Sequence, residues 1–352
     1  MKRQSLTDLF HCMRLPRVLR SRPEGWRRHP EEVRLGCNDG GEVSRLLKSL
    51  CLALLTVLSI SGASLARSDC GANGVALQVL GSGGPEIMQD RRASSSYLVW
   101  LNGKARLLVD AGGGSALNFG RSSAAFEDLD AIVFTHFHVD HSADLPVFVK
   151  ASWFGDRTRG LPLFGPTGNR LMPSMRGFVT ALFDDKQGAF RYLSDFIDSS
   201  PTNAYKLEAQ DITATGKSLW SGFHNAHLRL SAIPVHHGPV PALAWRVDLA
   251  DRSITFSGDM NGDNHTLVKL AVGSDLLVAH NAIPEGATGV ARQLHMPPSV
   301  IGRIAAGARV KQLVLSHRMQ RTLGRETQTR HIIQQNYRGP IEFANDLDCF
   351  RP

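Results

Sequence analysis

The stretch FTHFHVDHSADLP, Phe134 to Pro146, decides how the rest of the chain is read. It sets His136, His138, Asp140 and His141 within six residues, directly after the apolar run DAIVF. Imidazole and carboxylate are the common protein ligands of Zn²⁺ and similar divalent ions. On an extended loop, side chains two apart point to the same side, so His136 and His138 can face one ion. Asp140 and His141 follow after a turn and can face a second. A lone surface histidine carries no such meaning, and His224, His227, His265 and His331 are read as surface residues.

Further apolar runs end on the same kinds of residue. LSAIPV leads into His236, His237 and Gly238, ITFSG into Asp259, and QLVLS into His317. Strand ends are rigid points from which side chains converge on one pocket. A shared carboxylate such as Asp259 can bridge two ions that hold a hydroxide between them. The residues alone leave open whether His236 or His237 is the ligand.

The remaining pattern fits this picture. Strands are expected at Val75–Leu80, Ser95–Leu101, Ala105–Asp110, Asp130–His136, Leu228–His236, Leu243–Leu249, Ser253–Asp259, Asp275–His280 and Gln312–His317. Several are nearly all apolar, as strands covered on both faces are. Helices are expected at Ala143–Trp153, Asn169–Phe183, Phe190–Ile197, Pro298–Ala308 and Arg325–Gln335. Hairpins first and interspersed helices later describe a layered α/β architecture, two sheets covered by outer helices.

Ahead of this lies RLLKSLCLALLTVLSISGASLA, Arg45 to Ala66. A basic start, an apolar stretch from about Leu50 to Leu58, and Ser64 and Ala66 at the −3 and −1 positions form a secretory signal pattern. The competing reading is a single membrane anchor. The expected organisation is an N-terminal extension at 1–47, a signal peptide at 48–66 and one folded domain carrying the metal motif at 67–352. The protein is then periplasmic or secreted, and free of the membrane after cleavage.

The whole chain carries 40 Lys+Arg and 32 Asp+Glu, but the first 66 residues hold 11 and 6 of these. The remainder is close to +3. Its charge gives no support for nucleic-acid binding. Cys12, Cys37 and Cys51 fall in the leader, leaving Cys70 and Cys349. With export, these form a candidate disulfide joining the two ends of the domain; otherwise they are two unpaired thiols.

The ligand pattern, through most of the mature chain, resembles the metallo-β-lactamase superfamily. The resemblance implies a four-layer αββα sandwich and two divalent ions. His136, His138, His237 and Asp259 would hold one ion, and Asp140, His141, Asp259 and His317 the other. His237 is preferred to His236 because the related pattern places the ligand directly before Gly, as in VHHGPVPALAWRV. LGSGGPEIMQDRRASSSYLV, LLVDAGGG and DLPVFVKASWFGDRTRGLPLFGPTG are similar to the ribonuclease Z, arylsulfatase and cyclic phosphodiesterase branch. Asp110 would be structural there.

The chain departs from ribonuclease Z where His-Glu-Ala-Thr becomes AHNAIP. His280 is kept and Asn281 replaces Glu. Of a His-Ser-Thr motif His295 alone is kept, and a long Gly/Pro-rich arm is not evident. Losing the Glu removes the carboxylate expected to orient a catalytic His.

The expected activity is metal-dependent ester hydrolysis on a phosphodiester or similar small-molecule ester. Asp140 would orient the hydroxide and His295 would protonate the leaving oxygen. His280 and Asn281 would lie behind the ligands or near substrate. The alternatives are an arylsulfatase or lactonase, a ribonuclease Z-like nuclease, and a non-catalytic metal-dependent binding protein. Zn is the expected metal, with Mn or Fe compatible with the same ligands. Pairing of two copies through Asn169–Phe183 is a further expectation.

Overall fold

The structure is a computed structural model that describes residues 70–199 and 203–352. The expected extension, the signal peptide, Cys12, Cys37 and Cys51 lie outside the described residues. Among the described residues, no helix is long and apolar enough to cross a membrane.

Antiparallel hairpins begin the first sheet with β1 (Val75–Gly81), β2 (Ser96–Leu101) and β3 (Lys104–Val109). Then β4 (Ala131–Val133), β5 (Leu161–Pro166) and β6 (Leu207–Ile212) join parallel. The second sheet mirrors this. β7 (Trp220–His224), β8 (Leu228–His237), β9 (Val240–Leu249) and β10 (Arg252–Phe256) run antiparallel. β11 (Leu276–His280), β12 (Gln312–Ser316) and β13 (Ile341–Phe343) continue parallel. The short β14 (Cys349–Phe350) returns to the first sheet and closes the edge of β1.

Side-chain sorting builds the layers. Tyr97, Val109, Trp245, Phe256, Val278 and Val314 are buried together in the cluster between the sheets. On the outer side of the first sheet, α1 (Ser115–Ser122), α3 (Leu145–Ser152) and α4 (Met175–Phe183) supply Phe119, Phe148 and Phe183 to a second cluster. The motif turn α2 (Val139–Ser142) precedes α3. Outside the second sheet, α5 (Thr266–Ala271), α7 (Pro298–Gly307) and α8 (Glu326–Ile333) bury Leu267, Ile301 and Ile333. The short α6 (Gly289–Leu294) lies over β8 and buries none of its own residues. This is the expected four-layer αββα sandwich.

Some elements differ from expectation for local reasons. β5 carries Pro162, Gly165 and Pro166, a composition that argues against a strand until parallel neighbours fix it. The helix expected from Asn169 begins at Met175, because Ser174 caps it by accepting from Gly177 N. Residues 169–172 form a turn instead, held by Asn169 Oδ1 accepting from Leu171 N and Met172 N. The helix expected over Phe190–Ile197 is a 3₁₀ helix, Arg191–Phe196.

Cys70 and Cys349 are joined in a disulfide, with Cα atoms 5.6 Å apart and a sequence separation of 279. Just before β14, Asp346 accepts from Ser82 N, Ser82 Oγ, Ala93 N and Asn118 Nδ2 at 2.7–3.0 Å. The bond and this carboxylate fasten the same segment. Cross-linking so long a loop restricts the unfolded chain. Cys349→Ala, or reduction of the wild type, is expected to lower stability by about 2–5 kcal/mol, read from urea midpoints. Equal midpoints for oxidised and reduced protein would show that the bond contributes nothing.

Candidate metal centre

The strand ends converge as their apolar runs require. His136 and His138 lie just past β4, and α2 presents Asp140 and His141 one turn later. In β8 the side chains alternate, so His236 is exposed and His237 is buried. His236 is held outside, its Nδ1 2.7 Å from Asn261 Nδ2. Asp259 follows β10 after Gly258, whose φ is 56°. His317 follows β12 with a φ of 53°, a left-handed conformation rare for a residue with a side chain. Such conformations persist where surrounding structure over-determines them.

Two groups of ligand-capable atoms result, each within 4.8 Å of one another. The first contains His136, His138, His237 and Asp259; the second contains His141, Asp259, His280 and His317. Asp140 adjoins the second, its Oδ2 3.1 Å from His317 Nε2 and 3.5 Å from His141 Nε2. Asp259 belongs to both. Its Oδ2 lies 3.7–3.9 Å from Nε2 of His136, His141 and His237.

The other ring nitrogens explain why these atoms face inward. His141 Nδ1 is 2.8 Å from Asp110 Oδ2, so it carries the proton and donates. Asp110 also accepts from Thr135 N and Thr135 Oγ1, which frees Thr135 Oγ1 to accept from His136 Nδ1 at 3.0 Å. His237 Nδ1 donates to Leu294 O at 2.9 Å. Each bond fixes a tautomer and leaves Nε2 with a lone pair. His141 Nε2 is buried and has no hydrogen-bond partner. Inward lone pairs around a shared carboxylate fit a divalent cation.

Electrostatics divide the two groups. Burial holds His136 well below its usual range and lowers His138 and His237. At His141 and His317 burial pulls the same way but is outweighed. Asp140 and Asp110 raise the first; Asp259 and Asp140 raise the second. Burial would raise Asp259, yet His317, His295 and His141 hold it well below the usual carboxylate range. The carboxylates are therefore ionised and the metal-facing imidazoles of the first group neutral, the forms that bind metal.

The Gly-rich turn has a defined place here. A Cβ on Gly84 would come within 2.7 Å of His317 Cε1. Gly84→Ala is therefore expected to push the His317 ring aside and lower bound metal, measured by elemental analysis; unchanged metal would show that the ring gives way freely.

Every ligand expected from the sequence is brought together, with His237 rather than His236. His295 stands beside them, Nδ1 3.8 Å from Asp259 Oδ2 and without a hydrogen-bond partner. Burial, with His317 and His237 adding to it and Asp259 opposing, pushes His295 to about 3. Asn281 is buried but its side chain makes only a 3.5 Å contact to Ile283 O. The role of Asp110 as the partner of His141, and the nearness of Tyr97 to His280, were not visible in the sequence. Tyr97 sits in an apolar strand with nothing to mark it.

Two helix-covered sheets with paired His/Asp groups meeting at one carboxylate define a metal-dependent hydrolase acting on esters. The chain belongs to the metallo-beta-lactamase superfamily, whose sequence signature matches residues 90–301. It is 29% identical over 285 residues to a ribonuclease Z of Mycobacterium sp. (strain KMS), covering 78% of this chain and 94% of that protein. The metallo-beta-lactamase fold protein YhfI from Bacillus subtilis is similar at 20% identity and a TM-score of 0.59, covering 79% of this chain and 99% of that one. Human tRNase Z, short form, is similar at 19% identity and a TM-score of 0.61, covering 78% and 98%. At these identities the two structures speak for the fold.

Proposed function

We propose that this chain is a two-metal phosphodiesterase of the ribonuclease Z kind, cleaving a phosphodiester in RNA. The observation that carries the reading is the pair of ligand groups meeting at Asp259 with His295 beside them. His136, His138, His237 and Asp259 would hold one ion; Asp140, His141, His317 and Asp259 would hold the other. Zn suits these ligands, and Mn or Fe would be accepted by the same set. When bound, two divalent ions would supply an activated water and positive charge at the reacting phosphorus. Asp140 orients the attacking water. His295 gives a proton to the leaving oxygen, the approaching phosphate anion raising its affinity for that proton.

The preference for RNA over a small ester reverses the order of readings taken from the sequence. It is supported by the ribonuclease Z relative, nearly all of whose length is matched. A second reading, an exported hydrolase of small esters, is favoured by the Cys70–Cys349 bond, since disulfides persist in oxidising compartments. The departure at Asn281 also favours it.

One panel separates them: an RNA stem with a 3′ extension, bis(p-nitrophenyl) phosphate, p-nitrophenyl sulfate and p-nitrophenyl butyrate, each with and without chelator. Cleavage of the RNA and the phosphodiester, stopped by the chelator, is expected. Turnover of bis(p-nitrophenyl) phosphate, the sulfate or the carboxylic ester without cleavage of the RNA would overturn the reading in favour of the second.

A further inference from the structure

His280 lies in the second ligand group, yet both of its ring nitrogens are already engaged. Nδ1 is 2.7 Å from Asp259 Oδ1, and Nε2 is 3.0 Å from the Tyr97 hydroxyl. A carboxylate can only accept, so the proton of the ring sits on Nδ1. A nitrogen that carries a proton has no lone pair for a metal. Nε2 is then an acceptor, and the Tyr97 hydroxyl is its donor.

The backbone makes this arrangement rigid. Tyr97 is fully buried between the sheets, its ring 5.5 Å from that of Phe256 on β10. β11 runs parallel to β10 with Phe256 opposite Val278. That register carries His280 alongside the turn to Asp259, and His280 N donates to Ser257 Oγ at 3.1 Å. Ring and carboxylate are thus fixed from both ends.

The consequence falls on the two oxygens of Asp259. Oδ1 is taken by His280, with His317 Nε2 3.4 Å away. Oδ2 is left facing His136, His141, His237 and His295 at 3.7–3.9 Å.

We propose that Tyr97 and His280 are positioning residues for the shared carboxylate: Tyr97 orients His280, and His280 holds Asp259 Oδ1 so that Oδ2 is presented to both metal positions. His280 is therefore not a ligand. The inference rests on the reading that Asp259 serves two ions, and on nothing about the substrate. Unlike a carboxylate that supports one ligand, this relay aims the group on which both positions depend. Its loss loosens the whole centre.

The test uses the metal-loaded protein and reads metal retention rather than turnover. Metal content and the rate of release to a chromogenic chelator are measured for wild type, His280→Ala, His280→Gln, Tyr97→Phe and the Tyr97→Phe/His280→Ala double variant. Melting curves of the chelated proteins report folding. Outer partners of ligands typically contribute roughly 10- to 100-fold in metal affinity. His280→Ala is expected to release metal faster by about that factor. His280→Gln, whose amide can donate to Asp259, should restore most of the retention. Tyr97→Phe should be intermediate, and should add nothing on the His280→Ala background.

Wild-type release from His280→Ala would overturn the proposal, as would a Gln variant no better than Ala or multiplicative effects in the double variant. Tyr97→Phe keeps the buried ring, so it stays informative if His280→Ala fails to fold. A wild type that holds no metal would overturn the functional reading itself, and this one with it. A wild type that holds two ions, with no effect of the variants, would overturn the relay alone.

Discussion

Asp259→Asn is expected to abolish activity, with turnover of bis(p-nitrophenyl) phosphate falling at least about 1000-fold. Bound metal should fall from near two ions per chain to one or fewer. The substitution keeps the shape of the side chain and removes its charge. No other residue belongs to both ligand groups. Three histidine Nε2 atoms, of His136, His141 and His237, converge on its Oδ2, so both ligand groups lose their shared anionic donor together. Elemental analysis and a chromogenic assay on one preparation give both readings. A variant that keeps both ions and most of its rate would show that Asp259 does not join the two positions.

The second large effect is expected at His295, and it should depend on the substrate. His295→Ala removes a group suited to protonating the leaving oxygen. General acids contribute about 100- to 10,000-fold when the leaving group needs a proton. A dinucleotide or an alkyl phosphodiester, with a poor leaving group, should slow by that order. Bis(p-nitrophenyl) phosphate, whose leaving group departs as a stable anion, should slow far less. Metal content should stay as in the wild type, because the His295 ring belongs to neither ligand group. Equal slowing of both substrates would remove His295 as the acid and leave it a role in binding.

Much of this centre could be read from the sequence because its ligands stand at strand ends. An apolar run that stops at His or Asp fixes both the position and the direction of that side chain. His136, His138, Asp140, His141, Asp259 and His317 all have this form. His236 and His237 are adjacent, and period-two alternation along β8 separates them once the strand is seen. β5 and β6 were not legible for a different reason. Their prolines, glycine and charged residues become a strand only through parallel pairing with one another and with β4. Tyr97 shows the firmest limit; Asp110 was marked as structural by its turn, but its partner His141 was not. Their roles depend on which buried atom from a distant strand they meet, and no local pattern encodes that.

The pairing of β14 with β1 bears on the order in which the chain can fold. β1 is made early, but its outer neighbour lies at the far side of a closure 279 residues long. The Ser82–Ala93 turn beside the site also waits for Asp346. Contacts so distant in sequence form slowly, because loop closure must precede their reward. Synthesis from the N-terminus therefore produces all the strands of both sheets before the first one is closed. Until β14 emerges, β1 presents an unpaired outer edge, the kind of edge that invites pairing with another chain.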